Sequence, residues 1–174
     1  MELWDLYDAQ RNLTGKTVVR GEPIPKGLTH LVIHICIFNS KGEMLIQQRS
    51  SDKSTWADLW DVTIGGSVSA GESSQTGAQR ELLEELGLEA DFTDRFPDFS
   101  TSFPGGFDDT YILHMEPELS SLRLQPEEVQ AVRWATEEEI LTMVDNGTFI
   151  PYSKGFISHL FFRRTHRGNF SVDI

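Results

Sequence analysis

The stretch Gly66-Ser-Val-Ser-Ala-Gly-Glu72-Ser-Ser-Gln-Thr-Gly-Ala-Gln-Arg80-Glu81-Leu82-Leu83-Glu84-Glu85-Leu86-Gly87-Leu88 decides how this chain is read. Its second half predicts a helix from about Ser74 to Leu86. Ser73 or Ser74 can cap the start, and Gly87 suits the left-handed position past the last turn. Ala78, Leu82 and Leu86 recur every four residues and form a stripe to bury. Glu81, Glu84 and Glu85 fall off that stripe but share one helical face. Three carboxylates so close repel one another, which a structural helix avoids by spreading them or interleaving lysines. A divalent cation removes the repulsion, and hard oxygen donors suit Mg²⁺, with Mn²⁺ as the alternative. The plainer reading of the same glutamates is a solvated helix face.

The glycines and the arginine favour the cation. A glycine, five residues, a glutamate, seven residues, then Arg-Glu-aliphatic-any-Glu-Glu-any-Gly-aliphatic is the Nudix box. Gly66, Glu72, Arg80, Glu81, Leu82, Glu84, Glu85, Gly87 and Leu88 fill every defined position. At background residue frequencies this happens at a given start about once in a billion. The chain therefore resembles Nudix hydrolases. The resemblance implies an α/β fold, an α/β/α sandwich with a mixed sheet and helices on both faces. It also implies metal ligands at the Gly65 carbonyl, Glu81, Glu84 and Glu85. Arg80 and Glu72 would form a bridge tying the loop to the helix; the alternative for Arg80 is a surface salt bridge. A glutamate of this helix would act as general base or orient the attacking water, with Glu81 placed first. A further ligand is expected before the Val132-Arg-Trp134 stretch, where Glu128 fits the spacing better than Glu127. Asp109 is a third option, and an acidic turn after Pro126 is the plain alternative for Glu127 and Glu128.

Composition agrees with an enzyme of small molecules. With 174 residues the chain is long enough for one domain with a sizeable core. Residues 1–28 read as an N-terminal strand extension of that domain. The net charge of −12 disfavours nucleic acid and anionic membranes as partners. Cys36 is the lone cysteine, so no intrachain disulfide forms. Its apolar neighbours mark it as a buried small hydrophobe. No signal-peptide pattern and no membrane-length apolar run is present, so a cytoplasmic location is expected. A homodimer is compatible with the sequence but not specified by it.

Along the chain, Leu3–Tyr7 and Lys16–Arg20 read as two short strands around a turn. The β-branched run Leu31–Asn39 reads as a buried central strand, with Glu43–Arg49 as its hairpin partner. Trp60–Ile64 reads as a strand that ends at Gly65-Gly66, where the loop would turn sharply. Ala90–Thr101 looks like an irregular strand. Asp109–Met115 and Val129–Ala135 are further strands. Thr136-Glu-Glu-Glu139 forms a capping box for a helix that stops at Asn146-Gly147, and a last helix covers about Ser153–Arg164.

Residues outside the box are similar to isopentenyl-diphosphate isomerases, from about Leu3 to Trp134. They are His30-Leu-Val-Ile-His34-Ile-Cys-Ile-Phe-Asn39, Lys41-Gly42, Leu45-Ile-Gln-Gln-Arg49 and Trp60. His30 matches a metal-binding histidine of those isomerases. Their catalytic cysteine segment, however, reads Asp61-Val-Thr-Ile64-Gly65-Gly66-Ser67 here, with Ile64 at the cysteine position. The expectation is a Mg²⁺-dependent hydrolase of a diphosphate bond on an isomerase-like scaffold, its partner a small organic diphosphate. An isomerase and a non-catalytic ligand sensor are the alternatives. His30 and His34 face one side of their strand, near the site or simply in the sheet. Phe99, Phe103 and Phe107 around Pro104-Gly-Gly106 suit either a substrate-covering loop or loop anchoring. Arg49 and Lys53 suit phosphates or plain surface charge, and Trp56 and Trp60 read as packing residues.

Overall fold

A computed structural model describes residues 2–166. The box helix α1 (Ser74–Leu86) sits within the predicted bounds. Ser73 caps it by accepting from the Thr76 amide, while the Thr76 side chain accepts from the Ser73 amide. Gly87 ends it in the left-handed region at φ 67°, its N–H returning to Leu82 and Leu83. Ala78, Leu82 and Leu86 are fully buried, as their spacing requires.

The stripe lands on β3 (His30–Phe38), the centre of the main sheet. Leu31, Ile33, Ile35 and Ile37 point toward α1, with Phe92 and Tyr111. Cys36 and Phe38 point the other way, toward α2 (Glu137–Asp145) and α3 (Lys154–Arg163). Helices therefore cover both faces, and the two-residue period of the strand sorts its side chains into two cores. By the same period His30 and His34 lie on the α3 side. Thr136 caps α2 with Glu139, the capping box expected from the sequence.

One edge of β3 pairs in parallel with β8 (Gly106–His114) from His30↔Gly106 to Phe38↔His114. β7 (Phe99–Phe103) continues that side, antiparallel to β8. The other edge forks. β4 (Met44–Arg49) meets β3 only at Phe38↔Met44, then runs off to pair with β5 (Trp60–Asp61) and β9 (Val129–Ala135). β6 (Ile64–Ser67) takes the vacated edge, from Ile35↔Ile64 to Val32↔Ser67. Thr63 holds the fork open: its hydroxyl accepts from the Ile37 amide and donates to the Leu45 carbonyl, completely buried. The hairpin expected between β3 and β4 is thus a turn with a single ladder pair, because a side chain replaces the rest of the ladder.

Two more expectations are corrected. Gly65 and Gly66 lie inside β6, paired to His34 and Ile33, and neither has positive φ. Ala90–Asp98 forms no strand; only Phe99–Phe103 does. That segment docks on β8 through side chains: Asp98 accepts from the Ile112 amide and Arg95 donates to its carbonyl. The N-terminal hairpin of β1 (Leu3–Tyr7) and β2 (Leu13–Val19) forms its own two-stranded sheet. It is moored by Tyr7 N–H to Thr29 O at 2.8 Å and Ala70 N–H to Leu3 O at 2.7 Å.

Candidate functional site

The two glycines of β6 face opposite ways. A side chain on Gly66 would place its Cβ 2.5 Å from Glu81 Cδ; one on Gly65 would sit 3.2 Å from the His34 ring. Residues paired across antiparallel strands project to the same face. Gly66 therefore opens toward α1 and Gly65 toward the α3 side. What the sequence suggested was a sharp turn is instead close approach: the carboxyl of Glu81 lies where a β-carbon would be.

On the α1 side, Glu85 is not off the buried stripe as expected but 4% exposed. Gln47 of β4 reaches across and donates to Glu85 Oε2 at 3.0 Å. Burial first, then the charge of Glu81, pushes the Glu85 carboxyl up to about 8. Burial likewise raises Glu81, against the opposing pull of Arg80. Glu84 stays at the exposed rim. Arg80 grips Glu72 with two bonds, Nε to Oε1 at 2.8 Å and Nη2 to Oε2 at 3.0 Å. It also donates to the Ser67 carbonyl at 3.2 Å and meets Glu81 at 3.0 Å and Glu84 at 3.1 Å. The expected Arg80–Glu72 bridge is therefore present and joins loop, strand and helix.

Glu128 also belongs to this group. Its charge raises both Glu81 and Glu85, and Lys53 is ion-paired to it. Glu127 is exposed. Asp109 lies elsewhere, completely buried and held by Arg11 and Ser100. It shares a cleft with the first residues of α1, so it is no companion to Glu81 and Glu85.

The chemistry of these donors fits a hard divalent ion. Glu81 and Glu85 are carboxylates whose charge burial disfavours, and Gln47 Oε1 is a buried acceptor without a partner among the described residues. A cation would relieve both the repulsion and the unpaired acceptor. Among the described residues no three His, Cys, Asp or Glu side chains already converge as a ligand cage. Arg80 occupies Glu81 and Glu84, Lys53 occupies Glu128, and Gln47 holds Glu85.

On the α3 side, Gly65 borders a cavity of about 600 Å³. One wall holds a buried polar chain that sequence reading missed. Asp108 Oδ2 meets His34 Nδ1 at 2.8 Å, His34 Nε2 meets the Tyr152 hydroxyl at 3.1 Å, and that hydroxyl donates to Asp61 Oδ1 at 2.9 Å. With Tyr152 donating to Asp61, its oxygen can accept from His34 Nε2 while Asp108 accepts from Nδ1, an arrangement that favours the protonated imidazole. Burial works against that charge, but Asp108 and Asp61 outweigh it and raise the His34 pKa. Arg49 adds a contact to Asp61 at 3.5 Å. The members lie 74 and 118 residues from His34 along the chain, so no local pattern announces them.

His30 takes no part in that chain. It is stacked on Trp4 at 4.4 Å, donates from Nδ1 to the Gly105 carbonyl at 3.0 Å, and has its pKa lowered by burial. Trp60 packs against the α2–α3 core as expected. Trp56 does not: it is 52% exposed, at φ 56°, and lines the cavity with Phe103. Ile64 is buried in the α1 core, so its side chain never faces the cavity. Cys36, the chain's sole thiol, is buried with its pKa pushed well up.

Residues 28–160 match the NUDIX domain family. An uncharacterized Nudix hydrolase of Listeria monocytogenes is 47% identical over 92% of this chain and 94% of its own. An isopentenyl-diphosphate delta-isomerase of Schizosaccharomyces pombe is 31% identical over 82% of this chain and 72% of its own. The crystal structure of DR0079 from Deinococcus radiodurans superimposes with a TM-score of 0.73 at 25% identity, over 95% of this chain and all of that one. The chain belongs to the Nudix family, as a hydrolase acting on pyrophosphate bonds. Among the described residues no helix is long and apolar enough to cross a membrane.

Proposed function

We propose that this protein is a Mg²⁺-dependent diphosphatase that cleaves the diphosphate bond of a nucleoside diphosphate linked to another moiety, or of a related organic diphosphate. The observation that carries this reading is the pair Glu81 and Glu85, one partly and one fully buried, both carboxyls raised by burial and by neighbouring carboxylates beside Gly66. Glu81, Glu84, Glu85, Glu128 and the Gly65 carbonyl would hold Mg²⁺, with Mn²⁺ as a substitute. When bound, the ion neutralises phosphate oxygens and acidifies water. Loading requires Glu81 and Glu84 to exchange their contacts with Arg80, and Glu128 its contact with Lys53.

The chain's own groups supply the rest. Glu81 takes the proton of the attacking water; burial makes it a stronger base than an exposed carboxylate. Arg80, fixed by Glu72, positions the end of β6 against the helix through the Ser67 carbonyl. Arg49 and Lys53 line the cavity beside the glutamates and suit the phosphates. The lone buried thiol supports a cytoplasmic setting. Isomerase chemistry lacks a thiol here, since Ile64 is core and Cys36 is enclosed.

A panel of organic diphosphates assayed with Mg²⁺ tests the reading. The native protein should release phosphate or a nucleotide product. Glu84→Gln and Glu85→Gln should lower turnover at least about a hundredfold while keeping the native circular dichroism spectrum. Equal turnover in all three proteins would remove both residues from the site.

A further inference from the structure

The main sheet ends at β7 with its outer edge open. β7 pairs with β8 on one side, in unbroken register from Phe99↔Thr110 to Phe103↔Gly106, and with no strand on the other among the described residues. Ser100, Thr101, Ser102 and Phe103 are all exposed. Every second residue of such a strand turns its N–H and C=O outward, a template for another strand. Exposed edges are ordinarily guarded by a charge, a proline or a bulge within the strand. The open edges of β2 and β9 follow that rule, with Lys16 and Arg133. β7 carries none of these guards.

The residues of the strand say what fits that edge. Phe99-Ser-Thr-Ser-Phe103 reads the same in both directions about Thr101. A two-fold axis at Thr101 lays a second copy antiparallel to the first. Thr101 then lies opposite its own copy, Ser100 opposite Ser102, and Phe99 opposite Phe103. Aromatic pairs and hydroxyl pairs are among the cross-strand neighbours that stabilise a sheet. Charge favours the same partner. The chain bears 27 acidic against 15 basic residues, so two copies repel unless they meet through uncharged surface. Residues 99–107 are nine in a row without a charge. Phe96, at 86% the most exposed large apolar side chain among the described residues, stands just before them. The same register carries Phe96 to the turn at Pro104-Gly105-Gly106 of the other copy. An acidic or basic peptide would find no charge to pair with along this strand.

We propose that two copies of this protein associate through β7, as a two-fold antiparallel pair centred on Thr101 that joins their main sheets into one. The contact is short. It buries less than the roughly 1,600 Å² of a standard stable interface, so the dimer is weak, with a Kd on the order of 10 µM. Thr101 and Phe103 also line the cavity beside Gly65. Phe99 of the partner subunit comes to lie beside Phe103, so association extends that wall of the cavity.

Sedimentation velocity from about 1 to about 300 µM protein tests the proposal, since association follows mass action. The samples are the native protein, Thr101→Lys, Thr101→Glu and an equimolar mixture of the two variants. The native protein should pass from monomer to dimer across that range. Each variant alone should stay monomeric, because the axis sets like charges face to face. The mixture should dimerise again, since lysine then faces glutamate. That rescue requires position 101 to meet itself across the axis. Thr101 is exposed, so both variants should keep the native circular dichroism spectrum. Hydrogen exchange on the native protein gives a second reading that needs no substitution. The outward amides of β7 should exchange more slowly at the top of the range than at the bottom. A native protein that stays monomeric, variants that dimerise as the native does, or a mixture without rescue overturns the proposal. So does equal exchange at both concentrations, which would mean an edge left open or covered from within its own chain.

Discussion

Gly66 and Gly65 are adjacent, yet substituting them should have different consequences. In Gly66→Ala the new methyl meets Glu81 Cδ at 2.5 Å, so the carboxyl must swing aside. The displaced atoms end a flexible side chain, so stability should change little. The reacting geometry is what suffers, and misplacement near 1 Å can cost about a hundredfold in rate. Gly66→Ala should therefore lower kcat on the order of a hundredfold, with a melting shift below about 3 °C. Gly65→Ala instead crowds His34 at 3.2 Å, on the cavity side. Its effect should fall mainly on KM. Steady-state kinetics on the two variants separates these outcomes.

Glu85 is a burden on stability at neutral and higher pH. Its carboxyl is pushed up to about 8, so at pH 8 the folded metal-free protein must either hold a proton or bury a charge. Glu85→Gln removes that burden. The metal-free variant should melt at least about 5 °C above the native protein at pH 8, and the gain should shrink toward pH 5. Differential scanning calorimetry at the two pH values checks it.

At the scale of elements, local rules carried far. The bounds of α1, its glycine stop, β9 and the capping box of α2 were legible because caps and periodicity act over a few residues. The forked edge of β3 was not. It depends on Thr63 bonding both the Ile37 amide and the Leu45 carbonyl, a contact between segments 18 to 26 residues apart. Ala90–Asp98 misled for the same reason: Arg95 and Asp98 dock it on β8 where a strand ladder was expected. Thr63→Val keeps the shape but leaves a buried N–H and a buried carbonyl unpaired. It should cost about 2–4 kcal/mol in urea unfolding, without a change in the m-value.

The candidate site divides along the same line. Glu81, Arg80 and Glu72 could be read from one contiguous stretch. The burial of Glu85 could not, because Gln47 covers it from another strand. Asp108, Tyr152 and Asp61 gather around His34 only through the parallel pairing of β3 with β8 and the entry of α3.

For the whole molecule, the raised carboxyls of Glu81 and Glu85 set a dependence of stability on pH. A carboxyl whose folded pKa lies above its unfolded value favours the folded state fully below the unfolded pKa. The advantage is lost as pH rises toward the folded pKa. With Glu85 near 8, the metal-free protein should lose roughly 3–5 kcal/mol of stability between pH 4.5 and 8. If Glu85 holds Mg²⁺ as proposed, saturating Mg²⁺ should flatten that slope by favouring the ionised form. Thermal melts across this range, with chelator and with Mg²⁺, decide it. An unchanged profile would mean that Glu85 does not titrate where its burial places it.

The strand Ile64–Ser67 acts as a partition. The Glu81 carboxyl presses on it from one side, at Gly66, and the cavity beside His34 opens from the other, at Gly65. Lys53 alone among the residues named reaches both sides, lining the cavity while paired to Glu128. Transplanting the rest of the cavity's lining into a related scaffold should move ligand preference without carrying the catalytic rate along.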